Sequence, residues 1–451
     1  MPKTADGKSK LSRRQVLKGA ASTAAFTFIP SYVLGRGGQT PPSDTVNVAA
    51  IGAGGQAAVD IKQCVREGGR IVALCDVDDR RAEMYKQFDQ VNKYKDFRKM
   101  LDKEGKNIDA VIIAIPDHTH AVATLAAMER GKHVYTEKPL AHSVYETRFL
   151  MQAARKYKVA TQLGNHAHSN QQMRQICEWI WDGAIGDVRQ VDAFIDRKNS
   201  CIPDLPKMSE KHEVPPDVDW DLWLGPAPFR PYNPMYLPGR WRNWSQFGTG
   251  GAGDWMCHVV DPTFLALKLK HPETIEAVFV DGYDPVAHKE TFPPDMLVRF
   301  EFAAREKMPP VTLNWHAGHA PERPAEMGER KWSYAGALII GDKGKMVHDS
   351  HGASGLRIIP EEKMQEYKRP EPTLPRSPGH MVEWLQACKG GKPAESNFDY
   401  GGLLSELGML VNIALLFPGR KLQWDPVNTK FPNCPEADAC INPPYRQGWS
   451  L

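Results

Sequence analysis

Thr45-Val-Asn-Val-Ala-Ala-Ile-Gly-Ala-Gly-Gly-Gln-Ala57 is an apolar run that breaks into glycines just where a helix-like pattern begins. Strand, glycine turn and helix N-terminus in that order are what a dinucleotide site needs. Gly52, Gly54 and Ala57 keep the spacing G-x-G-x-x-G/A. The first glycine makes the tight turn, the second lets the backbone approach a pyrophosphate, and the third position must be small for helix to pack on strand. A helix starting near Gly55 and Gln56 would offer unpaired N–H groups and a positive dipole end to phosphates. Glycine-rich turns between strand and helix are common, so the pattern needs its context.

That context is Arg70-Ile-Val-Ala-Leu-Cys-Asp76, a second apolar strand ending in a carboxylate, about 20 residues beyond the glycines as such a site requires. Asp76 would accept from the adenosine ribose hydroxyls and repel a 2′-phosphate, which predicts NAD over NADP unless Arg80 or Arg81 swings in. The same carboxylate also reads as a cap or turn residue of Asp-Val-Asp-Asp-Arg80.

Upstream, Ser12-Arg-Arg-Gln-Val-Leu-Lys18 precedes the mildly apolar Gly19-Ala-Ala-Ser-Thr-Ala-Ala-Phe-Thr-Phe-Ile29. Paired arginines before a short apolar stretch read as a twin-arginine signal, with a basic disordered tail as the alternative. The stretch is too short to span a bilayer comfortably, and no second long apolar run follows. The expectation is therefore an exported, periplasmic protein that uses the twin-arginine machinery and has no membrane span in its mature form. The 451 residues leave room for two or three domains. A net charge of +3 is too near neutral to argue for nucleic acid or acidic partners, and no nucleic acid is expected.

Downstream, apolar strands at Val46–Ile51, Ile71–Cys75, Ala110–Ile115, His133–Thr136 and Val159–Gln162 alternate with helical patterns at Ala57–Glu67, from about Asp79, at Thr119–Arg130 and at Val144–Tyr157. Such alternation means a parallel sheet covered on both faces. After a helix at Gln172–Trp181 the character changes. Strand-like stretches at Thr274–Asp281, Met296–Phe302, Val311–His316, Ala337–Ile340, Lys345–His348 and Leu356–Pro360 precede two late helices, His380–Lys389 and Gly402–Phe417. The expected class is α/β: an N-terminal Rossmann-type parallel sheet plus an α+β C-terminal domain with an open, largely antiparallel sheet. The expected division is signal and linker 1–42, nucleotide-binding domain 43–165, substrate and oligomerisation domain 166–430, and tail 431–451.

Ligands of open parallel sheets lie outside the carboxyl ends of strands. Ile115-Pro-Asp-His-Thr-His120 sits at one such end, so Pro116, His118 and His120 are candidate cofactor contacts, and Asp117 and Thr119 read equally as helix caps. Two histidines in one loop are a poor metal set, and no metal is expected. Glu137-Lys-Pro139 follows the next strand, where a lysine near a nicotinamide could stabilise an alkoxide. A solvated surface lysine is the alternative. Gly248-Thr-Gly-Gly-Ala-Gly-Asp-Trp-Met-Cys-His-Val-Val-Asp-Pro262 runs from a glycine-dense loop into a helix on which Asp254 and His258, four apart, share a face. There a carboxylate and an imidazole could converge on a substrate, or cap and fill a core. Asp261 reads as structural. Tryptophans from Trp220 to Trp244, interleaved with Arg, Asn and Asp, fit a carbohydrate platform and a packed surface loop equally well. Of the eight cysteines, Cys434 and Cys440 could pair after export.

Together these motifs resemble the Gfo/Idh/MocA oxidoreductases, the group of glucose-fructose oxidoreductase and inositol dehydrogenase. The Gly52–Ala57 loop, Glu137-Lys138-Pro139 and Asp254-x-x-x-His258 occur in that family's order. The resemblance implies NAD or NADP on the first domain, with Gly52, Gly54, Gly55, Gln56, Asp76, Glu137 and Lys138 among its contacts. It implies a catalytic Lys138 with Asp254 and His258. It also implies a sugar, polyol or glycoside near Asn165, His166 and Trp244, and a second sheet that packs on partner subunits as a dimer or tetramer. His166 stands where another polar side chain is expected. Two further readings stand beside the dehydrogenase: an enzyme that retains NAD and cleaves glycosides by transient oxidation and elimination, and a non-catalytic sugar-binding protein of the same fold.

Overall fold

The computed structural model describes residues 45–451, and the segment expected to be a twin-arginine signal lies outside the described residues. The first sheet holds β1 (Asn47–Ile51), β2 (Arg70–Cys75), β3 (Asn92–Tyr94), β4 (Ala110–Ile113), β5 (His133–Thr136) and β6 (Thr161–Leu163), in the order β3-β2-β1-β4-β5-β6. Every pairing in it is parallel. The apolar run of β1 lies between two neighbours, with Ile51 opposite both Cys75 and Ile113. A strand hemmed in this way, with helices on both faces, has no side left for a polar residue.

The helices that position the site begin with α1 (Gln56–Arg66), α2 (Asp117–Glu129) and α3 (Val144–Tyr157). Ser143 and Glu146 close a reciprocal capping box at the start of α3. The helix expected from about Asp79 is a single turn, Met84–Gln87, followed by β3 and a helix over Phe97–Glu104 that Asp96 caps. β3 is a short edge strand with two of its three residues exposed, so it carries no apolar run by which to find it.

The second sheet holds β7 (Val188–Ile195), β8 (Thr274–Asp281), β9 (Asp295–Phe302), β10 (Val311–Ala317), β11 (Ala335–Gly341), β12 (Lys345–Asp349), β13 (Arg357–Ile359) and β14 (Leu422–Gln423), in the order β13-β12-β11-β7-β10-β9-β8-β14. β7 pairs parallel with β10, and the remaining pairings are antiparallel. β7 is central here although its sequence carries no continuous apolar run. Its neighbours β10 and β11 come more than a hundred residues later in the chain.

Four more helices connect the halves: α4 (Gln171–Trp181), α5 (Gly250–Val259), α6 (His380–Cys388) and α7 (Phe398–Ala414). α6 returns to the first sheet, where Met381, Trp384 and Leu385 pack with Val46, Val48 and Ala50. α7 lies against both α3 and α5. A Cβ on Gly408 of α7 would stand 2.9 Å from Gly253 Cα. Helix backbones can approach that closely only where a side chain is missing, which is one use of the glycine-dense stretch before Asp254. At the chain end, Tyr445 donates to Glu146, and Trp449 lies 6.3 Å from Phe97. Cys434 and Cys440 are both free thiols.

Candidate active site

A cavity of about 380 Å³ runs along the carboxyl ends of β1, β2, β4 and β5. Gly52, Gly54, Gly55, Gln56, Asp76, Pro116, Glu137 and Lys138 form one wall. Leu222, Trp223, Leu237, Trp241 and Arg242, from the tryptophan-rich segment, form the other. A Cβ on Gly54 would fall 1.6 Å from Arg81 O, so any side chain there would push the turn apart. No side chain caps α1, which leaves its first N–H groups for an anion. The residues present therefore fit a dinucleotide: a bare glycine turn, an open helix N-terminus, and a carboxylate one strand away.

Asp76 is that carboxylate. Its two oxygens accept from Ala53 N (2.8 Å) and Asp78 N (3.0 Å), so it is oriented while keeping lone pairs for ribose hydroxyls. Burial pushes its pKa up against those hydrogen bonds. Arg80 is folded back onto Asp78 by two contacts of 2.8 and 2.7 Å, whereas Arg81 stays on the cavity wall. We expect Asp76→Ala to narrow or reverse a preference for NAD over NADP, measured by titrating cofactor-free protein with each. Tighter NADP binding by the unmutated protein would assign the decision to Arg81.

Lys138 projects from the end of β5 to meet α5. Its Nζ donates to Asp254 Oδ1 at 2.6 Å and to Asp254 O at 3.1 Å, and Arg242 Nε reaches the same Oδ1 at 3.4 Å. Burial alone would lower the lysine, but Asp254 and Glu137 hold its pKa above the usual value. Burial would likewise raise Asp254, and Lys138 and Arg242 hold it below. The pair is therefore a fixed ammonium and a fixed carboxylate. Behind it, burial pushes Glu137 up to about 7. Asp60 on α1 is raised well above its usual value by burial and then by Glu137.

His258, one turn beyond Asp254 on α5, is buried, and its Nδ1 has no partner within the protein. Its ring stacks on His351 at 4.1 Å and 20°, and His166 lies 6.1 Å away. Burial first, then Lys138 and the two neighbouring imidazoles, push its pKa well below the usual histidine value. It is a neutral imidazole at neutral pH, able to take a proton.

Several expected contacts are placed otherwise. His118 does not line the cavity: its ring nitrogens sit 3.2 Å from Phe247 O and 3.0 Å from Trp223 O, and burial pushes it down to about 3. It braces the tryptophan-rich segment instead. His120 reaches the cavity wall, but its nitrogens are taken by Pro139 O (2.8 Å) and Ile115 O (2.7 Å), so it holds the Glu-Lys-Pro turn in place. Asn165 is buried, donating to Asp261 (3.0 Å) and accepting from Ser396 (2.6 Å). Asp261 also accepts from Tyr400 (2.5 Å) and faces His168, a structural network as its sequence position suggested. Trp244 is 0 % exposed and cannot offer a face to a sugar. It packs with Trp220, Trp223, Tyr236, Trp241 and Phe247 in a core of their own, so the aromatic segment is packed rather than open. Arg242, Asp60 and His351 went unanticipated. Arg242 could be suspected only from its place in the tryptophan-rich run, and His351 carries no local motif.

A wider polar depression of about 940 Å³ lies elsewhere, between α4 and the β13 edge, and is lined by residues such as Gln172, Glu326 and Arg357. It contains none of the side chains just described. Among the described residues no group of three or more His, Cys, Asp or Glu side chains is arranged to hold a metal ion, and no helix is long and apolar enough to cross a membrane.

Residues 46–165 match the family model for the NAD-binding Rossmann fold of an oxidoreductase family, and residues 206–292 match that for its C-terminal alpha/beta domain. The chain is 35 % identical over 124 residues to inositol 2-dehydrogenase 1 of Saccharopolyspora erythraea, covering 24 % of this chain and 36 % of that protein. It is 25 % identical over 210 residues to a glycosyl hydrolase family 109 protein of Shewanella pealeana, covering 41 % and 46 %. The chain thus spans less than half the length of these curated relatives. Among solved structures, the WlbA dehydrogenase of Bordetella pertussis, in complex with NADH and UDP-GlcNAcA, superposes with a TM-score of 0.56 at 14 % identity, over 84 % of this chain and 99 % of that one. At that identity the likeness is one of fold.

Proposed function

Because the chain belongs to the Gfo/Idh/MocA oxidoreductase family, we propose that it oxidises a carbinol carbon of a sugar, polyol or glycoside. NAD, when bound, supplies the hydride acceptor. The observation that carries the reading is the meeting of Lys138 with Asp254 at the end of the cofactor cavity, one helical turn from a neutral His258. His258 takes the hydroxyl proton, Lys138 donates to the oxygen as it gains charge, and Asp254 orients the ammonium and the sugar. Gly52, Gly54, Gly55 and Gln56 hold the pyrophosphate, and Asp76 holds the adenosine ribose.

Mass spectrometry of nucleotide that copurifies, followed by a panel of sugars and glycosides, tests the reading. NADH accumulating with a free sugar supports it. Release of an aglycone without net NADH would transfer the site to the glycoside-cleaving reading, whose chemistry begins with the same oxidation. Sugar binding without any nucleotide would leave a binding protein.

The twin-arginine signal belongs to the proposal too, with export to the periplasm and self-association through the second sheet. That machinery carries folded proteins, so the dinucleotide is loaded before export, where the supply is. The exported protein should emerge from gel filtration with nucleotide bound at close to one per chain and active without added cofactor. Empty protein that works only when fed free NAD would defeat this part of the proposal.

A further inference from the structure

The end of the second sheet that faces His258 carries side chains which oxidation of a neutral carbinol does not require. Where β7 stops at Ile195, Asp196 N donates to Tyr334 O at 2.7 Å, which brings Arg197 beside Tyr334 just before β11. The Arg197 guanidinium lies 4.4 Å from the Tyr334 ring centre and 5.8 Å from that of Trp255. Trp255 sits on α5 next to Asp254, edge-on to both Tyr334 (5.6 Å) and His351 (5.8 Å). His351 arrives from the end of β12 and covers the ring of His258. Arg197 and the proposed base are thus joined through consecutive ring contacts along one wall.

The charges on this wall do not balance. Asp254 is occupied by Lys138 and Arg242. Arg197 is exposed and, among the described residues, has ring contacts but no carboxylate partner. A guanidinium held over aromatic rings keeps N–H groups for a ligand, and two parallel N–H groups match the two oxygens of a carboxylate. Exposed Tyr334 and half-buried Trp255 add apolar faces on which sugar C–H groups can lie.

We propose that this wall reads a carboxylate on the substrate: the sugar is a sugar acid of the uronate kind, its carboxylate on Arg197 and its reacting carbinol at His258 and Lys138. The inference rests on the oxidoreductase reading and adds the charge of the substrate to it. Arg197 is a specificity residue, and the chemical step does not use it.

The test uses the full-length, NAD-loaded protein with D-glucuronate and D-galacturonate against D-glucose, myo-inositol and glucose 6-phosphate. A uronate should give the highest kcat/KM. Arg197→Gln should raise its KM about ten- to hundredfold, the worth of a charged hydrogen-bonding partner, with kcat within a few-fold and any response to neutral sugars unchanged. Arg197→Lys should recover part of the loss. Neutral sugars turned over as well as uronates, with Arg197→Gln silent, would overturn the inference and leave the oxidoreductase reading standing. Preference for glucose 6-phosphate would overturn the carboxylate assignment. If no sugar of any class is oxidised or bound while nucleotide remains in place, both readings fall together.

Discussion

Lys138→Ala lowers turnover by a hundredfold or more while nucleotide stays bound. The expectation follows from the 2.6 Å pair with Asp254: the ammonium is already oriented and desolvated before the reaction, so its interaction with a developing oxyanion needs little reorganisation. Removing one such donor typically costs on the order of 10²- to 10³-fold in kcat. The alanine also leaves Asp254 with Arg242 alone, at 3.4 Å, as a cationic partner. KM for the sugar should therefore rise as well, since a less well-held carboxylate positions it poorly. Fluorescence titration with NADH separates the effects, because the glycine turn and Asp76 are untouched and the dissociation constant should change little. An unchanged kcat would remove Lys138 from the chemistry.

The second large effect is expected at His258. His258→Ala should lower kcat about 10²- to 10⁴-fold, the range for loss of a positioned base, and should also change the shape of the pH profile. A base works in its deprotonated form, and the pKa of His258 lies well below the ordinary 6.5. In the unmutated protein, the contribution of His258 should therefore hold level at and above pH 6.5 and be lost only at a lower pH, as the imidazole takes a proton. Lys138 is held above 10.5, so no alkaline loss should come from it below about that pH. The alanine variant should lose the acid limb. If that limb survives in the variant, another group is the base.

What could be read from sequence was what is local. Gly52 to Ala57 and the strand ending at Asp76 form one βαβ unit, so the cofactor half needs no distant partner to be recognised. Asp254 and His258 lie a single helical turn apart, and the turn itself places them together. What escaped was assembled at a distance. β7 carries Arg189, Gln190 and Asp192 among its apolar residues, and its neighbours β10 and β11 lie far along the chain. His351 reaches His258 only because β12 pairs with β11, and β11 with β7. The tryptophans left two readings open because composition cannot say whether aromatic rings face outward or one another. Trp220 and Trp223 stack at 4.7 Å, and Tyr236 meets Trp244 edge-on at 5.5 Å.

The two bonds from Lys138 to Asp254 bear on handedness. An ammonium has three N–H groups in a tripod, and the side-chain and backbone oxygens of Asp254 occupy two of them. The third points along a single line, fixed by α5 rather than by the free rotation of a lysine tip. An oxygen that is to accept from it must arrive on that line while the carbon's hydrogen faces the other way. Of two epimers differing only at the reacting carbon, one can meet both conditions and the other must tilt its ring out of place. On the proposed function, the residue that steadies the cation would thereby also be a stereochemical gauge, and the ratio of kcat/KM between such epimers would measure how rigidly it is set.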